Sequence, residues 1–498
     1  MGSLLLRDVR LVPLAPGDQV PDSTVDVLVE AGTVTAVQAG VQRPPGVDEI
    51  AVGGRWLIPG LWDQHVHLGQ VVAGAGRLDL SAADSPDAAV RAVAQRLAEH
   101  PGQPVVGWGH RSAGWARDGT TSELDSLAPD ISVVLISGDA HHAWLNTTAM
   151  ALLGLPPRDG VVREAEWFAA YPRLVAIVGA DATSPPAYRR TLDAAAALGI
   201  VGLVDFEVAD GPAEWSQRWS EGCDRLRIRA STYADTLERV ASAGLRTGDT
   251  LPGCDGRATM GPLKIISDGS LNTRTAWCCE PYADAAGLEH PYGAPNLSAD
   301  ELHDLHRRAV AAGLEVATHA IGDAAVAAAL TAYAGTGAHG SIEHAQLVGR
   351  DDVRRMAALG LRASVQPAHL LDDRDLTDHV WGKRSSRSFA FRWMLDDGVA
   401  LALGSDAPVS PLDPWLAMAA AVHRSDGDRE PWHPEQAMSA QEALAASVDG
   451  QPAVRAGSRG DLVLLDDDPL DPHRDVSRLR DMSVAMTAVA GTVVHAAL

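Results

Sequence analysis

The stretch Trp56-Leu57-Ile58-Pro59-Gly60-Leu61-Trp62-Asp63-Gln64-His65-Val66-His67 carries an apolar run straight into two histidines separated by one residue. Alternate side chains of a strand project from one face about 6.6 Å apart. Two imidazoles near a strand's C-terminal end can therefore converge on one divalent ion. Among 18 histidines such a spacing also arises by chance. A structural or surface role stays open until the flanking sequence is read.

Downstream, apolar runs alternate with helical patterns. Strands are expected at 57–66, 201–206, 226–233, 263–268, 315–319, 341–344, 361–366 and 399–404, with helical patterns such as those opening at Pro186-Ala187-Tyr188 and Asp300-Glu301-Leu302 between them. Eight such units predict a closed parallel barrel. Residues 70–180 break the repeat and hold two further apolar runs, Val105-Val106-Gly107-Trp108 and Val133-Val134-Leu135-Ile136. They read as an insertion after the first barrel strand, where such barrels build substrate-facing loops. Upstream, Val25-Asp26-Val27-Leu28-Val29-Glu30 and Thr33-Val34-Thr35-Ala36-Val37 alternate as in a small antiparallel sheet, and Leu462-Val463-Leu464-Leu465 and 485–495 look the same. Neither end alone has enough strands to cover a sheet, so the two termini are expected to pack together. The fold class is thus α/β, a (β/α)8 TIM-type barrel over 57–451 with 70–180 inserted, and a small β-sandwich domain from 1–56 and 452–498.

Composition narrows the function. A chain of 498 residues with 46% hydrophobic and 21% charged residues can bury a large core. Its 65 acidic against 41 basic residues give a net charge of -24, which repels phosphate backbones and anionic membranes. No nucleic acid and no membrane are expected as partners, and no apolar run is long enough to span a bilayer. The start lacks a basic, apolar leader, and the four cysteines form no regular framework. A cytoplasmic protein acting on a small molecule is expected, with a homodimer as the candidate assembly.

A barrel presents catalytic side chains at the C-terminal ends of its strands. There the sequence places His65 and His67, Lys264 with Asp268, His319, Glu343 with His344, and Ser405 with Asp406. Imidazoles supply neutral nitrogen donors, and a carboxylate supplies charge and accepts a proton. Lys264 is the odd member, since an ammonium offers no lone pair. Burial would favour its neutral amine, which can add carbon dioxide to form a carbamate that bridges two metals. The alternative is an ion pair with Asp268 or Glu280.

Several segments together resemble a known family. Ile58-Pro59-Gly60-Leu61-Trp62-Asp63-Gln64-His65-Val66-His67, Lys264-Ile265-Ile266-Ser267-Asp268-Gly269-Ser270-Leu271, Thr318-His319-Ala320-Ile321-Gly322-Asp323, Ile342-Glu343-His344-Ala345-Gln346, Ser364-Val365-Gln366-Pro367 and Leu403-Gly404-Ser405-Asp406-Ala407-Pro408-Val409 occur in the order found in the amidohydrolase superfamily. More narrowly, nearly the whole chain is similar to the YtcJ-like branch (amidohydrolase family 3), which includes N-substituted formamide deformylase. The resemblance implies that His65, His67 and Asp406 bind one metal, His319 and His344 a second, and N6-carboxylated Lys264 bridges them. It implies one or two divalent ions per chain, zinc foremost, and a hydrolase that cleaves a non-peptide C–N bond in an amide or formamide. Asp406 would take a proton from the activated water and pass it to the leaving nitrogen. Ester, lactone or amidine cleavage shares the same activated water and stays open. A non-catalytic scaffold would have lost these ligands.

Other positions carry two readings each. His141, in a segment similar to the family's Gly-His-x-x-Trp-x-Asn signature, is either a substrate contact or a structural histidine. Arg274 either meets substrate or fixes its loop by a salt bridge. Trp108 and Trp144 either wall an apolar pocket or belong to the core. Asp268, Asp323 and Glu343 are candidates to orient ligating histidines. The sequence departs from the relatives around 442–450, where the helix before the C-terminal sheet is shortened, and the insertion is short for the branch.

Overall fold

A computed structural model describes the chain except residues 1, 16, 75, 175–176, 178–182, 209–210, 428, 452 and 472–478. The expected boundaries at 180 and 452 lie outside the described residues. Two compact units result, one from Met1–Leu68 with Arg189–Leu498 and one from Gly69–Tyr188.

The first unit contains the barrel. Its eight parallel strands run Leu61–Val66, Ile200–Asp205, Arg227–Thr232, Ala258–Ile266, Val316–Ala320, Gly340–His344, Arg362–Val365 and Ala400–Leu403, each hydrogen-bonded to the next in that order. Leu61–Val66 is buried at every residue, as a strand covered on both faces must be. The ring closes just beyond the eighth strand. Asp406 N donates to the His65 carbonyl at 2.7 Å, and His67 N donates to the Ala407 carbonyl at 2.9 Å. Asp63 clamps the same seam by accepting the Ser405 amide at 3.0 Å.

The expected strand over 57–66 is corrected, because it is two strands. Trp56–Pro59 pairs with Leu462–Leu465 in the terminal sheet, and Leu61–Val66 enters the barrel. Gly60 makes the transfer. A Cβ there would meet the Val201 side chain at 2.4 Å, so only glycine lets the chain pass so close to the second barrel strand.

The terminal sheet is mixed, which corrects the expectation of an antiparallel one. Leu4–Arg7 pairs with Asp48–Ala51, and Arg10–Leu11 with Trp56–Leu57, in parallel. Between those halves the register shifts from Leu6 to Val9, with Asp8 at φ 59°. The bulge bends the strand. Leu4, Leu6, Val27, Val29, Leu57, Leu462, Leu464 and Met486 then meet in one apolar cluster. Strands from both termini thus share a core. The shortened helix near the junction is Ala440–Ala445, and the carbonyls just after it, Ala446 and Ser447, accept the amides of Leu403 and Trp62.

The second unit is a five-stranded sheet ordered Val161–Arg163, His142–Leu145, Val133–Ser137, Val105–His110 and Leu78–Asp79. Both its faces are covered, as the alternation of its central strand requires. Val133 and Leu135 join Leu80, Val93 and Trp144 on one side, while Val134 and Ile136 join Met150, Leu153 and Trp167 on the other. The helix Pro86–Glu99 opens on Ser85, whose hydroxyl caps the Ala88 amide, with proline in the first turn. Among the described residues of both units, no helix is long and apolar enough to cross a membrane.

Candidate metal centre

Barrel closure decides where the donors meet. The seam bonds hold Asp406, at φ 56°, against the backbone of His65 and His67. Its Oδ1 lies 3.4 Å from His65 Nε2 and 3.3 Å from His67 Nε2. Ligands about 2.1 Å from a tetrahedral ion are separated by about 3.4 Å, so this spacing is that of donors sharing one ion. His344 and His369 form a second set with Asp406, their ligand atoms all within 4.8 Å of one another.

Partners behind the imidazoles point the same way. A ligating histidine normally gives its other ring nitrogen to a carboxylate or carbonyl. His65 Nδ1 meets Glu343 Oε2 at 2.7 Å, and Glu343 is itself held by Ser341. His319 Nε2 meets the Gly269 carbonyl at 3.2 Å and lies 3.5 Å from Asp268 Oδ1. His67 Nδ1 and His344 Nδ1 are buried without a hydrogen-bond partner among the described residues. The His319 and His344 rings stand 4.6 Å apart and His65 and His344 5.1 Å apart, so all four histidines face one space. These donors fit a divalent cation.

Electrostatics favours the ligating forms of His65, His319, His344 and Asp406, whereas His67 is raised, burial being outweighed by its hydrogen bond to Asp406. Burial, reinforced by the charge of Lys264, pushes His319 down to about 3, and it lowers His65 and, further, His344. These imidazoles are neutral at physiological pH. Asp406 lies well below the usual carboxylate range, since burial opposes ionisation but the surrounding imidazoles, His67's hydrogen bond among them, outweigh it. Glu343 is lowered in the same way, burial being overcome by His65 and Lys264.

Lys264 is buried on the fourth strand with Nζ 3.2 Å from His65 Nε2 and 4.3 Å above the Phe206 ring. Burial pushes it down to about 8 against the opposing charges of Glu343 and Asp406. The carboxylates acting on it are therefore not Asp268 or Glu280, the partners of the alternative ion-pair reading. Asp268 accepts the amides of Trp277, Ile321 and Gly322, and burial still raises it to about 7.

The remaining sequence candidates have other contacts. Asp323 holds the Cys279 amide and Arg387 rather than a histidine. Arg274 pairs with Asp284 and the Asn272 carbonyl, which ties down its loop. In the second unit, His141 Nδ1 faces Glu164 at 3.2 Å, and Trp144 is fully buried with its indole N–H on the Thr120 carbonyl. Trp108 is half-buried under the Arg77 guanidinium, 5.1 Å from its ring. Two residues were missed by the sequence reading. Asp63 sits two positions before His65 and accepts its amide at 3.0 Å. His369 follows the quoted Gln366-Pro367 at the end of the seventh strand, where the barrel rule already directs attention.

The sequence model of the amidohydrolase family matches residues 48–495. The chain belongs to the amidohydrolase family. Among amidohydrolase relatives, YtcJ of Bacillus subtilis (strain 168) is 25% identical over 539 residues, covering 95% of this chain and 96% of its own. N-substituted formamide deformylase of Arthrobacter pascens is 26% identical over 525 residues, covering 94% of each chain. A crystal structure of an uncharacterized metal-dependent hydrolase from Pyrococcus horikoshii OT3 superposes with a TM-score of 0.79 at 24% identity, over 94% of this chain and 98% of that one. That last likeness concerns the amidohydrolase fold alone.

Proposed function

We propose that this amidohydrolase is a metal-dependent hydrolase that cleaves a non-peptide C–N bond, in an amide, formamide or related small molecule. The observation that carries the reading is the approach of His65 Nε2 and His67 Nε2 to one oxygen of Asp406, at 3.4 and 3.3 Å. The formamide named for the Arthrobacter relative, similar along almost the full length, favours a C–N bond over an ester.

His65, His67 and Asp406 would hold one ion, and His319 and His344 a second. The mixture of imidazoles and carboxylate suits zinc. A divalent ion in this place supplies Lewis acidity toward a carbonyl oxygen and makes water acidic enough to attack at neutral pH. The protein's own groups do the rest. Ionised Asp406 accepts the proton released by the attacking water and delivers it to the departing nitrogen, which leaves as an amine. Glu343 fixes the tautomer and ring plane of His65. Lys264, held near 8 by burial, has a neutral amine available near neutral pH. Its Nζ lone pair would add to carbon dioxide with loss of a proton, and the resulting carbamate would offer oxygen donors to a bound metal.

The test is hydrolysis of a panel of formamides, amides, amidines and esters by metal-loaded and chelator-treated protein. Metal-dependent release of amine from an amide or formamide supports the proposal. Turnover confined to esters, or none that depends on metal, overturns it.

A further inference from the structure

We propose that His369 is a metal ligand, which with His344 and the second oxygen of Asp406 forms a donor set separate from that of His65 and His67. The proposal rests on the hydrolase reading above and deepens it by assigning a residue that reading leaves without a role.

Asp406 is shared between two neighbourhoods. Its Oδ1 faces His65 and His67, whereas its Oδ2 faces His369 Nε2 at 3.9 Å. That distance is too long for a direct hydrogen bond. It is within about half an ångström of the separation between two donors on one ion, so a small side-chain rotation suffices. The His369 side chain is only 10% exposed, and its Nε2 is buried without a hydrogen-bond partner among the described residues. A buried donor or acceptor left unsatisfied is destabilising and calls for an explanation.

The neighbouring imidazole is arranged to match. The rings of His344 and His369 lie nearly parallel, 22° apart in plane with centroids 6.2 Å apart. With Asp406 they offer three ligand atoms within 4.8 Å of one another. The backbone holds His369 there. It opens the helix His369–Trp381, its amide donates to the Gln366 carbonyl at 3.2 Å, and the next residue, Leu370, is fully buried. The ring therefore starts from a fixed turn at the C-terminal end of the seventh strand, the catalytic side of the barrel. The ligand class that suits two imidazoles and a carboxylate oxygen is a divalent cation of borderline softness, such as zinc or cobalt.

The experiment titrates full-length, chelator-stripped protein with Co²⁺, following bound metal by elemental analysis and ligand field by visible absorption. Wild type is compared with His369→Gln and, should that variant fold poorly by circular dichroism, His369→Asn. Wild type is expected to take up two equivalents. The variant is expected to bind one of them on the order of 100-fold more weakly, with an altered cobalt spectrum. Unchanged affinities and spectrum in the variant overturn the assignment, and a loss of activity alongside them marks a substrate contact instead. A single equivalent in wild type also overturns it, while the hydrolase reading survives. No specific metal uptake by wild type defeats that reading as well.

Discussion

His65, His67 and Asp406 in the barrel, and His110, His142 and Asp139 in the second unit, are the same residue types gathered at one end of a sheet. In the barrel, two ring nitrogens approach a single carboxylate oxygen at 3.3 and 3.4 Å. In the second unit the polar atoms are divided among separate partners. His110 Nε2 meets the Leu135 carbonyl at 3.1 Å, His142 Nε2 meets Ser112 Oγ at 2.8 Å, and Asp139 Oδ1 accepts Ser137 Oγ and the His141 amide. His142 Nδ1 stands 3.9 Å from Asp139. Convergence depends on the closed ring, which brings its last strand beside its first. An open sheet has no such seam, and its histidines settle into local hydrogen bonds.

The strongest way to break this contrast is Asp406→Asn. Turnover of any substrate found in the panel is expected to fall by on the order of 10³-fold with folding retained by circular dichroism. Near-normal turnover would remove Asp406 from proton transfer. Next, His67→Gln is expected to weaken metal binding by at least about 100-fold, while His142→Gln leaves metal content unchanged, both read by elemental analysis. Equal losses in the two variants would erase the distinction.

Acid stability sharpens the second unit's side of the comparison. Burial, aided by the neighbouring His142, pushes His110 from 6.5 down to about 4. Between those values the unfolded chain binds the proton and the folded one does not, so stability falls as pH falls through this window. About 2 kcal/mol is expected to be lost between pH 7 and pH 5 in denaturant unfolding of this unit, and His110→Gln should flatten that slope. A slope unchanged in the variant would assign the acid sensitivity elsewhere. The smallest effect is Ser112→Ala, which leaves His142 Nε2 without its partner and should cost about 1 kcal/mol by the same measurement, with metal content untouched.

Much of the barrel was legible because fully buried strands write themselves as apolar runs, and their C-terminal ends are where polar residues stand out. That rule together with the family resemblance picks out His65, His67, Lys264, His319, His344 and Asp406 as candidates, and the fold brings them close together. What the sequence hid was set by contacts between distant segments. Nothing local to 57–66 announces that Gly60 hands the chain from one sheet to another, because the reason is Val201. Leu78–Asp79 is a strand only through pairing with Gly107 and Trp108, and two residues carry no period to read. Trp144 could not be sorted between pocket and core until Leu80, Val93 and Leu135 were seen around it.

The Asp63–Ser405 clamp joins residues 342 positions apart. A nascent or partly unfolded chain can hold the His65-Val66-His67 strand and still lack the carboxylate that would complete its proposed donor set. Loop closure of that span is among the late events expected in such a fold. On the proposed reading, metal capture by these three residues would serve as a stopwatch for ring closure. An ion added during refolding should be taken up with the slowest structural phase.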